Sequence, residues 1–209
     1  MISHALKPPV GTPDDTVAWY DRAAAAYAAD TLGRSPHSLR EAFVRRLPEG
    51  GAILDAGSGS GRDTLSFLER GFEVEAFDAS EELARLSSKL TGRTTQVARF
   101  ETYAGPQARY HGVWAFASLL HVREPDLPDA LERLAVTLKS GGWLFSNFKV
   151  GAGERLDEFG RLYTDMDERR LRGLFLGSSL WTMVEITTQH APAAFGAPTA
   201  WINVFARRA

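Results

Sequence analysis

The stretch "ILDAGSGSGRD", residues 53–63, limits the fold of this chain more than any other. An apolar run reaches Asp55, and glycines then occupy positions 57, 59 and 61. Residues that favour an extended backbone, followed at once by the most permissive ones, describe a buried strand turning sharply. The next segment, "GRDTLSFLERG", has helical spacing and ends on Gly71. Strand, glycine turn and helix together make the opening unit of a parallel sheet.

The rest of the chain repeats that alternation. "FEVEAFD", "TTQVARF", "HGVWAFA" and "WLFSNFK" read as strands, with "SEELARLSSKLTG" and "DLPDALERLAVTLKSGG" as helices between them. "TDMDERRLRGLFLGS" reads as a further helix capped by Thr164 or Asp165. "LWTMVEITTQ" and "AWINVFARR" are strands with no helical pattern between them, so they pair antiparallel across "HAPAAFGAPT". The expected fold is α/β: a Rossmann-like, seven-stranded, mostly parallel sheet with helices on both faces and the last two strands antiparallel. Ahead of it, Pro8, Pro9, Gly11 and Pro13 mark residues 1–13 as a flexible tail. "TVAWYDRAAAAYAAD", capped by Asp14 or Asp15, and residues 38–47 form two N-terminal helices. Residues 14–209 then make one domain, with helices in 14–48 and the Rossmann-like core in 51–209. A chain of 209 residues, 44% hydrophobic, suits one such core.

Composition removes several classes of function. The net charge of −2 gives no global basic field, so nucleic acid is not an expected partner. Cysteine is absent, which excludes disulfides, thiolate metal sites and a cysteine nucleophile. His4, His37, His111 and His190 show no ligand spacing, and no metal is expected. No apolar run nears the ~20 residues that cross a bilayer, and the N-terminus lacks a signal-peptide pattern. The expected location is cytoplasmic and the expected partner a small molecule; nothing fixes the oligomeric state.

In an open parallel sheet, ligands bind at the carboxyl ends of the strands, beside the first strand–helix turn. Gly57, Gly59 and Gly61 allow positive φ or a close approach of ligand to backbone there. A dinucleotide site wants G-x-G-x-x-G, and its third glycine would fall on Arg62. The spacing present is D-x-G-x-G-x-G, with a carboxylate, Asp55, that would oppose a pyrophosphate and attract a cation. A nicotinamide oxidoreductase is thereby disfavoured.

With these residues in place, the sequence resembles the class I S-adenosylmethionine-dependent methyltransferases. "ILDAGSGSGRD" is similar to their first motif, and Asp78, 23 positions after Asp55, supplies the acidic residue that ends their second strand. "FDAS", "ASLLHV" and "LKSGGWLFSNF" also look like family sequence. "FKVGAGER" and "RLYTDMDERRLRGLF" resemble a narrower group of small bacterial, general or tellurite-resistance-like members. The resemblance implies S-adenosylmethionine as cofactor. Asp55, Ala56, Gly57, Ser58, Gly59 and Gly61 would form its cradle, with Asp78 and Ala79 at the ribose. Ala117 and Ser118 would offer a backbone carbonyl to the methionine ammonium group. Family members often carry an acidic adenine contact near the end of strand three, where this chain has Arg99; Glu101 or backbone alone would replace it, with Phe100 packing on adenine or in the core. Tyr20 and Tyr27, seven apart on one helical face, would belong to an N-terminal helical lid over the cofactor.

Methyl transfer needs positioned reactants and little acid–base chemistry. His121 after strand four is the candidate general base or substrate-positioning group, or else it packs against cofactor or helix. Trp19, Lys149, Arg155 and Tyr163 are candidate acceptor-pocket residues, and Asn147 shares the edge with Lys149. The implied activity is methyl transfer to a small-molecule acceptor at oxygen, nitrogen, sulfur or a chalcogen, by in-line displacement. A cofactor-binding sensor or partner subunit without turnover would carry the same cradle.

Overall fold

The computed structural model describes residues 12–34, 36–191 and 199–209. Helix α1 (Pro13–Thr31) begins at Thr12, whose side chain accepts from the Asp15 amide while the Asp15 carboxylate accepts from the Thr12 amide. The cap is therefore Thr12 and not Asp14 or Asp15. Pro13 suits the first helical position, where its missing N–H costs nothing, and Asp15 completes the capping box from the third. The rest of the expected tail, residues 1–11, lies outside the described residues. Helix α2 (His37–Val44) follows.

The core then alternates: β1 (Ala52–Ala56), α3 (Arg62–Glu69), β2 (Glu73–Asp78), α4 (Glu81–Thr91), β3 (Thr95–Val97), β4 (Tyr110–Ala115), α5 (Leu127–Thr137) and β5 (Leu138–Lys149). A short hairpin, β6 (Gly153–Leu156) and β7 (Leu162–Asp165), leads to α6 (Glu168–Leu176), β8 (Trp181–Ala191) and β9 (Thr199–Arg208). Seven strands form one sheet in the order β3-β2-β1-β4-β5-β9-β8. β9 alone runs against its neighbours, pairing antiparallel with both β5 and β8. This is the mostly parallel Rossmann-like sheet that the alternation predicts.

Successive residues of each strand feed opposite faces. Leu54, Val113, Leu144 and Val204 join the cluster under α5 and α6, while Ile53, Trp114, Phe145 and Phe205 join Phe43 and Phe67 on the side of α2 and α3. Asp55, two residues on from Ile53, therefore faces α3 and bonds Thr64 on it.

Several boundaries differ from the sequence reading: α2 stops at Val44 rather than at 47, and β3 covers only Thr95–Val97 of "TTQVARF". "LKSGG" is not a helix end: Leu138 is buried and pairs with Tyr110, and the two glycines sit where the β4–β5 register shifts, with Gly141 at φ +76°. They form a bulge. The α6 cap is Asp167, accepting from the Arg170 amide, because Thr164 and Asp165 are engaged in β7. The β6–β7 hairpin was not expected at all. Its strands have four residues each, and "GERL" carries no apolar alternation. It folds back on the end of β5, where the Met166 amide donates to the Lys149 carbonyl at 2.9 Å.

Candidate functional site

The carboxyl ends of β1, β2, β4 and β5, roofed by α1 and walled by the hairpin, enclose a cavity of about 510 Å³. Tyr20, Tyr27, Asp55, Gly57, Ser58, Gly59, Asp78, Ala79, Phe100, Glu101, Ala117, Ser118, His121, Lys149 and Tyr163 all line it. Four sequence candidates do not. Ala56 is fully buried and gives its carbonyl to the Ser118 hydroxyl. Gly61 stands against α4, where a Cβ would lie 2.9 Å from the Ser87 Cα. Trp19 packs on Phe159 and on the Arg161 guanidinium rather than lining the cavity, and Arg155 is drawn to Asp165 at 2.5 Å.

The glycines do different jobs. At Gly57 (φ +78°) a Cβ would lie 2.4 Å from the Ser118 Cβ, so this glycine lets the β1 and β4 turns cross. At Gly59 (φ +57°) a Cβ would meet only the Tyr27 ring, 3.5 Å away, and would otherwise project into the cavity. The Gly59 amide donates to Asp78 Oδ2 at 2.7 Å, and the Ser80 amide to Oδ1 at 2.9 Å. Each Asp78 oxygen keeps a further lone pair for a ligand. Burial nevertheless raises the Asp78 pKa to about 6, against the pull of those amides. Burial, then the neighbouring Asp63 carboxylate, raises Asp55 to about 7, although the Thr64 hydroxyl bond opposes the shift.

Arg62 explains the glycine spacing. Its guanidinium grips Asp63 and donates to the Thr31 and Arg34 carbonyls at 3.2 and 2.8 Å, tying the end of α1 to the turn. Asp63 also takes Arg40 of α2 and the Trp114 indole. Arg99, the departure at strand three, pairs with Asp14 of α1 at 2.6 Å. Asp21 accepts from the Ser80 hydroxyl and fixes the middle of α1 above α4. The helix is thus pinned along its length over the cavity.

His121 sits between two partners. Nδ1 lies 2.6 Å from the Leu162 carbonyl, which only accepts, so Nδ1 carries the proton. Nε2 lies 2.9 Å from the Tyr20 hydroxyl and accepts from it. The Tyr20 oxygen accepts in turn from Arg161 Nη1 at 3.3 Å. Burial lowers the His121 pKa to about 4 and raises that of Tyr20 well above its usual value. Both groups are neutral and occupied, so His121 offers no free lone pair to a substrate in this conformation.

Arg161 is the main cavity residue that sequence reasoning missed. It is 3% exposed, paired with Asp157 at 2.7 Å, and surrounded by the rings of Trp19, Tyr20, Phe159 and Tyr163. It lies in a loop between strands that were themselves invisible, so no signal marked it. Asn147 is spent on structure: its Oδ1 accepts from the Ala117 amide at 2.6 Å and holds Ala117 at φ +52°. Asp78 and Lys149 end β2 and β5, three strands apart, or roughly 14 Å at the usual interstrand spacing. The cavity therefore has a carboxylate side and an ammonium side. Among the described residues there is no cluster of metal-ligating side chains, and no helix is long and apolar enough to cross a membrane.

A family model for the methyltransferase domain matches residues 22–183. A curated relative, the alpha N-terminal protein methyltransferase 1 of Caenorhabditis elegans, is 32% identical over 120 residues. That match takes in 54% of this chain and spans about half, 49%, of the relative. Among solved structures, the Burkholderia thailandensis 1,6-didemethyltoxoflavin-N1-methyltransferase, with bound 1,6-didemethyltoxoflavin and S-adenosylhomocysteine, superposes with a TM-score of 0.73 at 22% identity, covering 100% of this chain and 98% of that one. A Haemonchus contortus phosphoethanolamine N-methyltransferase 2, in complex with S-adenosyl-L-methionine, gives 0.68 at 14% identity, covering 90% of this chain and 57% of that one.

Proposed function

Because the chain belongs to the class I S-adenosylmethionine-dependent methyltransferases, as the match over residues 22–183 establishes, we propose that it methylates a small-molecule acceptor held on the Lys149 side of the cavity. S-adenosylmethionine is the cofactor, and when bound it supplies a methyl group on a cationic sulfonium. The residues present fit it. Asp78 has two amide-oriented oxygens with lone pairs to spare for vicinal hydroxyls, and a Cβ at Gly59 would fill the space beside them. Asp55 and Asp78 make that side of the cavity attractive to a cation.

The remaining work is positioning. α1 and the hairpin exclude water, and Tyr20 and Tyr27 close the roof over the strand ends. An acceptor held in line gains most of the acceleration available to such a displacement, with no need for a strong base. His121 serves this arrangement by fixing the Tyr20 hydroxyl. Glu101 and Phe100 line the cavity near the end of β3 and are the proposed adenine neighbours.

The observation that carries this reading is the Asp78 carboxylate, buried, oriented by two amides and turned to the cavity. Its test is calorimetry with S-adenosylmethionine, followed by detection of S-adenosylhomocysteine release with a panel of small acceptors and with a peptide bearing a free N-terminus. Turnover of small acceptors is expected. Turnover of the peptide alone would move the acceptor class to proteins, and absence of cofactor binding would end the reading.

A further inference from the structure

The ammonium side of the cavity carries a charge that the protein leaves unbalanced. Three cations surround the Tyr163 ring: Lys149 Nζ lies 4.0 Å from its centroid, the Arg155 guanidinium 4.8 Å and the Arg161 guanidinium 5.5 Å. Two carboxylates answer them. Asp165 takes Arg155 and Asp157 takes Arg161. Among the described residues, Lys149 has no carboxylate within ion-pair distance.

That arrangement is held in place. The Lys149 backbone pairs with Trp201 across β5 and β9, and its carbonyl accepts from the Met166 amide. The side chain is half-buried and lines the cavity with Arg161 and Tyr163. Burial, then Arg155 and Arg161, lowers its pKa, so holding the charge there costs more than it would in water. An anion arriving there would reverse that cost by pairing with the cations that the Tyr163 face helps to hold.

We propose that the acceptor is a small carboxylic acid whose carboxylate docks on Lys149 beside Arg161, leaving the atom to be methylated on the side toward Asp78. This rests on the methyltransferase reading and names its substrate class. One uncompensated positive charge matches a monoanion better than a phosphate dianion.

The test uses the intact chain saturated with S-adenosylhomocysteine and titrated calorimetrically with benzoate, its neutral counterpart benzamide, and phenyl phosphate. Benzoate is expected to bind at least about tenfold tighter than benzamide, the lower range for a charge-assisted contact. Lys149→Gln should erase that preference and Lys149→Arg should keep it, with S-adenosylhomocysteine binding reporting the fold of each variant. Benzamide binding as well as benzoate, no benzoate binding at millimolar concentration, or a preference that survives Lys149→Gln would overturn the subsite. Phenyl phosphate binding tighter than benzoate would overturn the carboxylate in favour of a phosphate ester. Failure of S-adenosylhomocysteine to bind the unmodified protein refutes the methyltransferase reading instead, so the two failures are separable.

Discussion

The Tyr20 hydroxyl donates to His121 Nε2 at 2.9 Å, joining the roof helix to the turn that follows β4 across 101 positions of sequence. The proton on Nδ1 is fixed by the Leu162 carbonyl, and burial keeps the ring neutral down to about pH 4. An unfolded histidine titrates near 6.5. The folded ring therefore contributes stability that is present above that value and lost as pH falls toward 4. Two outcomes follow from one geometry. The kcat profile should be flat for His121 between about pH 5.5 and 8, and Tyr20→Phe should cost about 1–3 kcal/mol because it strands a buried acceptor. Rate profiles and urea unfolding check both. An inflection near 6.5 that disappears in His121→Ala would restore the histidine as a titrating base.

Gly59 and Gly61 look equivalent in the sequence and should fail differently. A side chain at Gly61 runs into the Ser87 backbone at φ +86°, so Gly61→Ala should lower stability by roughly 1–3 kcal/mol, combining left-handed strain with a helix–helix clash. Gly59→Ala shares the left-handed strain (φ +57°) but escapes the clash, keeping an ordinary 3.5 Å contact with Tyr27 while it fills ligand space. Its larger effect should fall on cofactor affinity. Denaturation beside calorimetry separates the two, and equal behaviour of both variants would contradict the division.

Asp78 should contribute to the pH dependence of cofactor binding. With a pKa near 6 it is ionised at pH 7.5 and mostly protonated at pH 5, where an oxygen that carries a proton has fewer lone pairs to offer. S-adenosylhomocysteine affinity should fall across that interval. Asp78→Asn replaces one acceptor by a donor facing either the Gly59 or the Ser80 amide, and should weaken binding by about 1.5–3 kcal/mol while reducing the dependence to the part carried by Asp55. An unchanged pH slope in the variant would take the ribose role from Asp78.

What the sequence discloses and what it hides follow from range. The β1 turn, Asp55 and Asp78 are legible because strand, glycines and carboxylate lie within a few residues and each obeys local backbone chemistry. The β6–β7 hairpin is not, since four-residue strands without alternation leave no periodic signal, and its loss hides Arg161. The separate duties of Gly57, Gly59 and Gly61 depend on Ser118, Tyr27 and Ser87, which only the folded chain brings near. Thr12 was legible in principle: threonine, proline and an aspartate three residues on spell a capping box, overshadowed by two adjacent acidic residues. His121 was placed at the right edge, but its partners on α1 and β7 were unreadable from its own neighbourhood. The narrower bacterial subgroup remains an expectation of the sequence.

Asp55 joins stability to binding. Its folded pKa of about 7 lies above the ~3.9 of an unfolded aspartate, so between these values the folded chain holds a proton that the unfolded chain releases. Stability from this group is complete below about pH 4 and is lost as pH rises through 7, where a buried carboxylate stands beside Asp63. Asp55→Asn has no such titration and can still accept from Thr64. Its Tm relative to the unmodified protein should climb between pH 5 and 8, by at least about 5 °C. A cationic ligand bound alongside should favour the ionised carboxylate and expel the proton. Cofactor binding near pH 6.5 should therefore release protons, visible as a dependence of binding heat on the ionisation enthalpy of the buffer, and Asp55→Asn should reduce that release. A constant Tm difference across the range would show that Asp55 is ionised throughout, and undiminished proton release in the variant would assign the titration to another group.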